Sequence, residues 1–171
     1  MSCFEVTGKR DFLDIALKNA DLVCSVYAPG ACGMPPGHQE VELALVKLYR
    51  ITEQRKYLDC AKHLLDLRGR DETHKLYGAY HQDHQPVTKQ TEAVGHQVRA
   101  IYMYSAMADV AALTGDAAYI GAMEKIWDDF VGCKMYITGG VSGEGESFAR
   151  PYHLPNRKAY CETCASIASA L

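Results

Sequence analysis

Glu144 and Glu146 stand in a glycine-rich stretch, Thr138-Gly139-Gly140 and Ser142-Gly143-Glu144-Gly145-Glu146, and the group Cys161-Glu162-Thr163-Cys164 follows soon after. Carboxylates on a constrained loop suit proton transfer, and a thiol beside a carboxylate suits metal binding or thiol chemistry. Other polar and aromatic groups gather in two further loops. Residues 28–37, APGACGMPPG, lead into His38, and residues 70–90 carry Tyr77, His81, Gln82, Asp83 and His84 and lead into Glu92 and His96. Their recurrence where helices begin predicts one polar, aromatic end suited to a hydroxylated ligand.

The elements that must position these groups are helices. Each glycine of the 138–146 stretch would cost a helix about 1 kcal/mol relative to alanine, and Pro151 and Pro155 extend the break. Asn156 then reads as an N-cap, and Arg157 to Leu171 as a helix that carries Cys161, Glu162 and Cys164 in its second turn. Upstream the chain repeats itself. Thr7-Gly8-Lys9-Arg10-Asp11-Phe12-Leu13 resembles the stretches that start at Thr52 and Thr114. Each opens an apolar stripe at spacings of three and four: Leu13, Ala16, Leu17, Ala20 and Val23; Leu58, Ala61, Leu64 and Leu65; Ile120, Met123, Trp127, Phe130 and Val131. Helices over His38–Ile51 and Glu92–Leu113 precede the second and third, and none precedes the first. The unit is an αα-hairpin, and such units bury their faces only by stacking. The uneven repeat interval favours a toroid, whose long loops build a site at one end, over an open solenoid. The tyrosines, methionines and Trp127 of residues 92–131 read as core. Both ends read as cut from a larger α/α toroid, so 1–171 is expected to be one partial domain, truncated at both ends.

Composition sets limits. With 48% hydrophobic and 23% charged residues, 171 residues make a globular chain with a real core. A formal net charge of −3 argues against nucleic acid or an anionic membrane as partner, and no apolar run approaches the roughly 20 residues that span a bilayer. No targeting signal is visible. Seven irregularly spaced cysteines make a poor disulfide framework and favour a reducing, cytoplasmic compartment. Cys161 and Cys164 form a C-x-x-C, but no βαβ pattern surrounds it and no second pair stands at zinc-finger spacing, which disfavours a redox or finger role.

GHQEVELALVKLY (37–49), YHQDHQPVTKQTEAVGHQVRA (80–100), KMYITGGVSGEGESF (134–148) and LPNRKAYCETCA (154–165) resemble the β-L-arabinofuranosidases of glycoside hydrolase family 127, in the same order and over nearly the whole chain. The resemblance implies an all-α, (α/α)6-barrel catalytic domain of which this chain is a central slice. It implies a retaining, zinc-dependent hydrolase of arabinofuranosides. By the same resemblance Glu146 is the general acid/base, Glu162 and Cys164 are zinc ligands, and His38 and His96 contact the sugar. The nucleophilic cysteine and the remaining zinc ligands are expected beyond Leu171, so the chain alone is expected to be nearly inactive and prone to self-association through exposed apolar helix faces. Gly-Glu-Gly-Glu offers two registers, and Phe148 with Leu154-Pro155-Asn156 fixes the match on Glu146. Cys161, Pro151 and His153 depart from the family pattern. Two residues apart on an ideal helix means about 200° apart, so Glu162 and Cys164 share one ion only at a distorted or terminal turn. The competing reading is a non-catalytic helical-repeat scaffold or a carbohydrate-binding remnant. A metal-free (α/α)6 hydrolase or lyase is disfavoured by the Glu-Thr-Cys motif.

Overall fold

The three threonine-led turns fold as one recurring piece of structure in the computed structural model, which describes residues 1–141 and 143–171; Ser142 of the glycine loop lies outside them. Thr7, Thr52 and Thr114 end α1 (Ser2–Thr7), α3 (Val41–Thr52) and α5 (Gln97–Thr114). Each hydroxyl donates to the carbonyl one turn back, on Cys3, Leu48 and Val110, at 2.5, 2.7 and 2.7 Å. Each also accepts the N–H two residues on, from Lys9, Gln54 and Asp116, at 3.2, 3.3 and 3.3 Å. The residue between is left-handed: Gly8 at φ 72°, Glu53 at 57° and Gly115 at 68°. Two of the three turns use glycine, which takes this conformation without a Cβ clash.

Beyond each turn runs a second helix: α2 (Asp11–Val26), α4 (Arg55–Asp66) and α6 (Ala117–Cys133). The short α7 (Thr163–Ser169) closes the order. α3, α5 and α7 lie side by side, with α4 packed on α3 and α5, α6 on α5, and α2 on α4. Among the described residues there is no β-strand, only isolated bridges. Successive outer helices are latched by a repeated pair. The Tyr57 hydroxyl of α4 donates to Asp21 of α2, and that of Tyr119 in α6 donates to Asp66 of α4, both at 2.8 Å. Both tyrosines stand five residues beyond the turn threonine (52 to 57, 114 to 119).

The stack is the all-α hairpin array that the repeat predicts, with differences in detail. A helix, α1, does precede the first unit. The expected helix starts at His38 and Glu92 move to Val41 and Gln97, because Gly95 at φ 72° ends the approach and His96 caps α5, its ring accepting the Arg99 N–H at 3.4 Å. Asn156 is no N-cap. Residues 156–162 are irregular, the Tyr160 N–H is drawn to the Gly143 carbonyl at 3.2 Å, and the helix begins only at Thr163. Leu58, Ala61, Leu64 and Leu65 are buried as expected, whereas on α2 only Leu13 and Ala20 are. On α6 the buried stripe is Tyr119, Ala122, Ile126 and Phe130, set by the Tyr119 latch. Trp127, expected in the core, is 58% exposed.

Candidate active site

Glu146 reaches its place because its loop is stitched to the start of α5. The Gln97 N–H donates to the Glu146 carbonyl at 2.8 Å, the Phe148 N–H to the Gly95 carbonyl at 2.9 Å, and Ser147 forms a bridge with His96. Below this seam the Phe148 ring packs edge-on against Phe130 of α6. A Cβ on Gly95 would lie 1.9 Å from the Ala79 carbonyl oxygen, so only glycine lets the 79–82 segment approach this closely. The Glu146 carboxylate then accepts the Tyr80 hydroxyl at 2.9 Å and lies 3.9 Å from His96 Nε2. That hydrogen bond pushes the Tyr80 hydroxyl above its ordinary pKa. Glu144 is engaged elsewhere, 3.3 Å from His153 and 3.9 Å from Lys158.

Rings extend from Glu146 in a row. On one side His96 meets His38 (centroids 6.3 Å apart), and His38 meets Tyr102 of α5 (6.3 Å). On the other, Tyr80 meets His81 (5.1 Å) and His81 meets Tyr77 (5.6 Å). Burial lowers the His38 pKa despite nearby Glu40. It also lowers that of His81, helped by Arg99, whose Nη1 lies 3.1 Å from His81 Nδ1. Both rings are thereby biased toward the neutral imidazole, which both donates and accepts hydrogen bonds.

Glu162 is the N-cap residue of α7 in extended geometry (φ −65°, ψ 130°), and Cys164 sits in the helix's first turn rather than its second. The cap brings the carboxylate to the thiol, and Glu162 is the main cause of a raised Cys164 pKa. Cys164 is exposed, and its helix α7 packs on α5, which carries Tyr102; burial, then Glu40 and Cys164, raise the Tyr102 pKa. Sulfur and carboxylate are donors that zinc accepts. Among the described residues, however, no group of three or more His, Cys, Asp or Glu is placed to hold an ion. Cys161 does not extend the pair. Its φ is 33°, and its sulfur would lie 3.1 Å from a Cβ on Gly140. Glu162 and Cys164 thus form a carboxylate–thiol pair at the first turn of α7.

Several supporting residues escaped the sequence reading. Tyr80 opens the YHQDHQ segment, a signal that was available. Gln39 donates to the His81 carbonyl at 2.9 Å and to the Gln82 side chain at 2.7 Å, and Gln82 donates to the Val94 carbonyl at 2.9 Å. Arg68, fully buried, donates to the Pro36 carbonyl at 2.9 Å and lies 3.7 Å from buried Glu42. Burial pushes the Glu42 pKa up and the Arg68 pKa down, with the opposite charge of each partner opposing the shift.

The sequence and the fold are matched among known proteins. The model of the GH127 catalytic domain of β-L-arabinofuranosidases matches residues 1–171. The chain belongs to glycoside hydrolase family 127. It is 35% identical over 189 aligned residues to a non-reducing end β-L-arabinofuranosidase of Bifidobacterium longum subsp. longum, covering 98% of this chain and 29% of that protein. A solved GH127 β-arabinofuranosidase is 56% identical with a TM-score of 0.88, over 96% of this chain and 26% of that one. A GH127 β-L-arabinofuranosidase from Geobacillus stearothermophilus T6 is 43% identical, also with a TM-score of 0.88, over 96% of this chain and 29% of that one. The GH127 chain thus spans less than a third of the length of these relatives, and its all-α hairpins fit part of an (α/α)6 barrel.

Proposed function

We propose that this GH127 chain carries the acid/base half of a retaining glycosidase acting on β-L-arabinofuranosides. The observation that carries the reading is the Glu146 carboxylate, held by the Tyr80 hydroxyl with the His96 ring 3.9 Å away, at the seam between the glycine loop and α5. Cleavage of a glycosidic bond needs a proton for the leaving oxygen and a nucleophile on the opposite face of the anomeric carbon. With one carboxylate oxygen engaged by Tyr80, Glu146 has the other for that proton. His38 and His96, flanking it, offer ring nitrogens to the sugar hydroxyls. Glu162 and Cys164 are the residues of this chain that would hold a zinc ion, whose part when bound is to keep thiol sulfur deprotonated. The nucleophilic cysteine of this reading, and the other donors, lie outside residues 1–171, so the chain alone should turn over no arabinofuranoside. The relatives' printed activities support the sugar class. A scaffold role is disfavoured by this polar constellation in a catalytic-domain match.

The test is a graft. Exchanging residues 1–171 for their counterpart in the 56%-identical relative should give a zinc-containing enzyme that hydrolyses aryl β-L-arabinofuranosides. In that graft Glu146→Gln should cut turnover of alkyl arabinofuranosides by about 100-fold or more, with a smaller loss in the first step for leaving groups that need no proton. Glu144→Gln should have little effect. Full activity of the Glu146 variant in a folded graft would end the assignment.

A further inference from the structure

Glu146 meets its neighbours through one oxygen. Its Oε2 accepts the Tyr80 hydroxyl at 2.9 Å, and the same atom lies 3.9 Å from His96 Nε2. The His96 ring caps α5 through Nδ1, which accepts the Arg99 N–H at 3.4 Å. A neutral imidazole that accepts at Nδ1 carries its proton on Nε2, so His96 turns an N–H toward Oε2. Two donor groups therefore face that oxygen.

Tyr80 is itself held from several sides. Its carbonyl accepts the His96 N–H at 3.1 Å and the Gln82 side-chain amide at 3.2 Å. Its ring stands edge-on to His96 (5.4 Å) and to His81 (5.1 Å), and the Arg99 guanidinium lies over it, 5.9 Å from the centroid. Arg99 is tied down in turn by the Gly37 carbonyl at 2.8 Å. A cation over a phenol ring draws charge from the ring and its oxygen, which makes the Tyr80 hydroxyl a better donor and a poorer acceptor.

We propose that Tyr80 is the positioning residue of the acid/base carboxylate: by filling Oε2 of Glu146 it confines the transferable proton to Oε1. The inference rests on the glycosidase reading above. A proton on Oε2 would face the Tyr80 O–H and the His96 N–H, and a donor turned toward donors gains no bond. A proton on Oε1 has the leaving oxygen to meet. It passes to that oxygen, which keeps the electron pair of its broken bond to the anomeric carbon, while the nucleophile of that reading bonds to the carbon. Oε1 then takes a proton back from the water that follows, with Oε2 still held. The Glu146 side chain is 53% exposed, so packing alone does not fix it. Without the hydroxyl it has more rotamers and two equivalent oxygens to protonate, and the productive arrangement is populated less.

Two measurements test this. In residues 1–171 with carbon-13-labelled tyrosine, Tyr80→Phe identifies the Tyr80 Cζ resonance. At neutral pH that resonance should move in Glu146→Ala and stay in place in Glu144→Ala. A Tyr80 resonance unmoved by loss of Glu146 overturns the proposal. In the graft described above, Tyr80→Phe keeps the ring and removes only the hydroxyl. It should lower kcat for alkyl arabinofuranosides about 10-fold, the low end for a hydrogen bond to a charged group, with KM within about twofold of the parent graft. For leaving groups that need no proton, the first step should slow by less than about threefold. An unchanged kcat, a raised KM alone (the mark of a sugar contact) or an equal loss on both substrate classes overturns the positioning role and leaves the glycosidase reading standing. Full activity of Glu146→Gln, or a folded graft without activity, overturns that reading and the proposal with it.

Discussion

His81 stands between Tyr80 and Tyr77 in the ring row, and its charge state decides whether its ring only donates hydrogen bonds or also accepts them. Burial is the largest influence and lowers its pKa; Arg99, Arg68 and His96 act the same way, and Asp83 opposes them. Its titration midpoint in the folded chain should therefore lie below the ordinary histidine value of about 6.5. Arg99→Gln should raise that midpoint without restoring it fully, because burial remains. Carbon-13 histidine spectra across pH 5 to 8 read this directly, and an unmoved midpoint in the variant would discard the role given to Arg99. The sign for stability follows from linkage. A folded value below the unfolded one means the unfolded chain binds more protons as the medium is acidified, so the contribution of His81 is complete above pH 6.5 and is lost as pH falls through its folded value. At this scale the sequence was informative where a residue type is rare in its setting, as with glutamates among glycines or a thiol beside a carboxylate. It marked the segment that Tyr80 opens but not the part Tyr80 plays, which comes from a partner 66 positions away.

The repeating element of the fold is the threonine turn followed by a tyrosine latch, and the latch accounts for what the sequence pattern missed. Helical periodicity put Ile120, Met123, Trp127, Phe130 and Val131 on the inward stripe of α6, and of these only Phe130 is buried. The buried Tyr119 hydroxyl, bonded to Asp66 at 2.8 Å, rotates the helix so that the Tyr119–Phe130 stripe faces inward. Lys62 adds to the joint, 2.9 Å from Asp66, 3.4 Å from Asp116 and over the Tyr119 ring. Tyr119→Phe should cost about 1.5–3 kcal/mol, the range for a hydrogen bond to a charged group, measured by urea unfolding of residues 1–171. A loss below about 0.5 kcal/mol would mean that apolar packing, not the latch, sets the rotation of α6. The misplaced helix at Asn156 has a comparable origin. Local signals marked a cap there, but a long-range bond to the glycine loop holds the segment open until Glu162. That delay puts Glu162 at the N-cap and Cys164 in the first turn of α7 rather than the second.

At the scale of the whole molecule, the hairpin stack exposes apolar side chains on both flanks. Phe12, Ile15 and Leu22 of α2 are 66%, 64% and 61% exposed, and Trp127 and Ile120 of α6 are 58% and 42% exposed. The latch pattern shows the same thing in polar terms. Phe12 stands five residues beyond Thr7, where the other units place Tyr57 and Tyr119, and has no hydroxyl to donate. Asp128, fourteen beyond Thr114 as Asp21 is beyond Thr7 and Asp66 beyond Thr52 (114 to 128, 7 to 21, 52 to 66), is exposed. A groove beside Trp127, bounded by Ile101, Met123, Phe130 and Leu171, adds to this flank and encloses about 190 Å³. Apolar faces of this kind drive association when nothing covers them. Isolated residues 1–171 should therefore self-associate at tens of micromolar, and sedimentation velocity should show species heavier than the 18.9 kDa monomer. Trp127→Glu and Phe12→Glu lie outside the buried stripes, so each should shift the distribution toward monomer with little change in melting temperature. A wild-type chain that sediments as a monomer at every concentration would show that these flanks tolerate water.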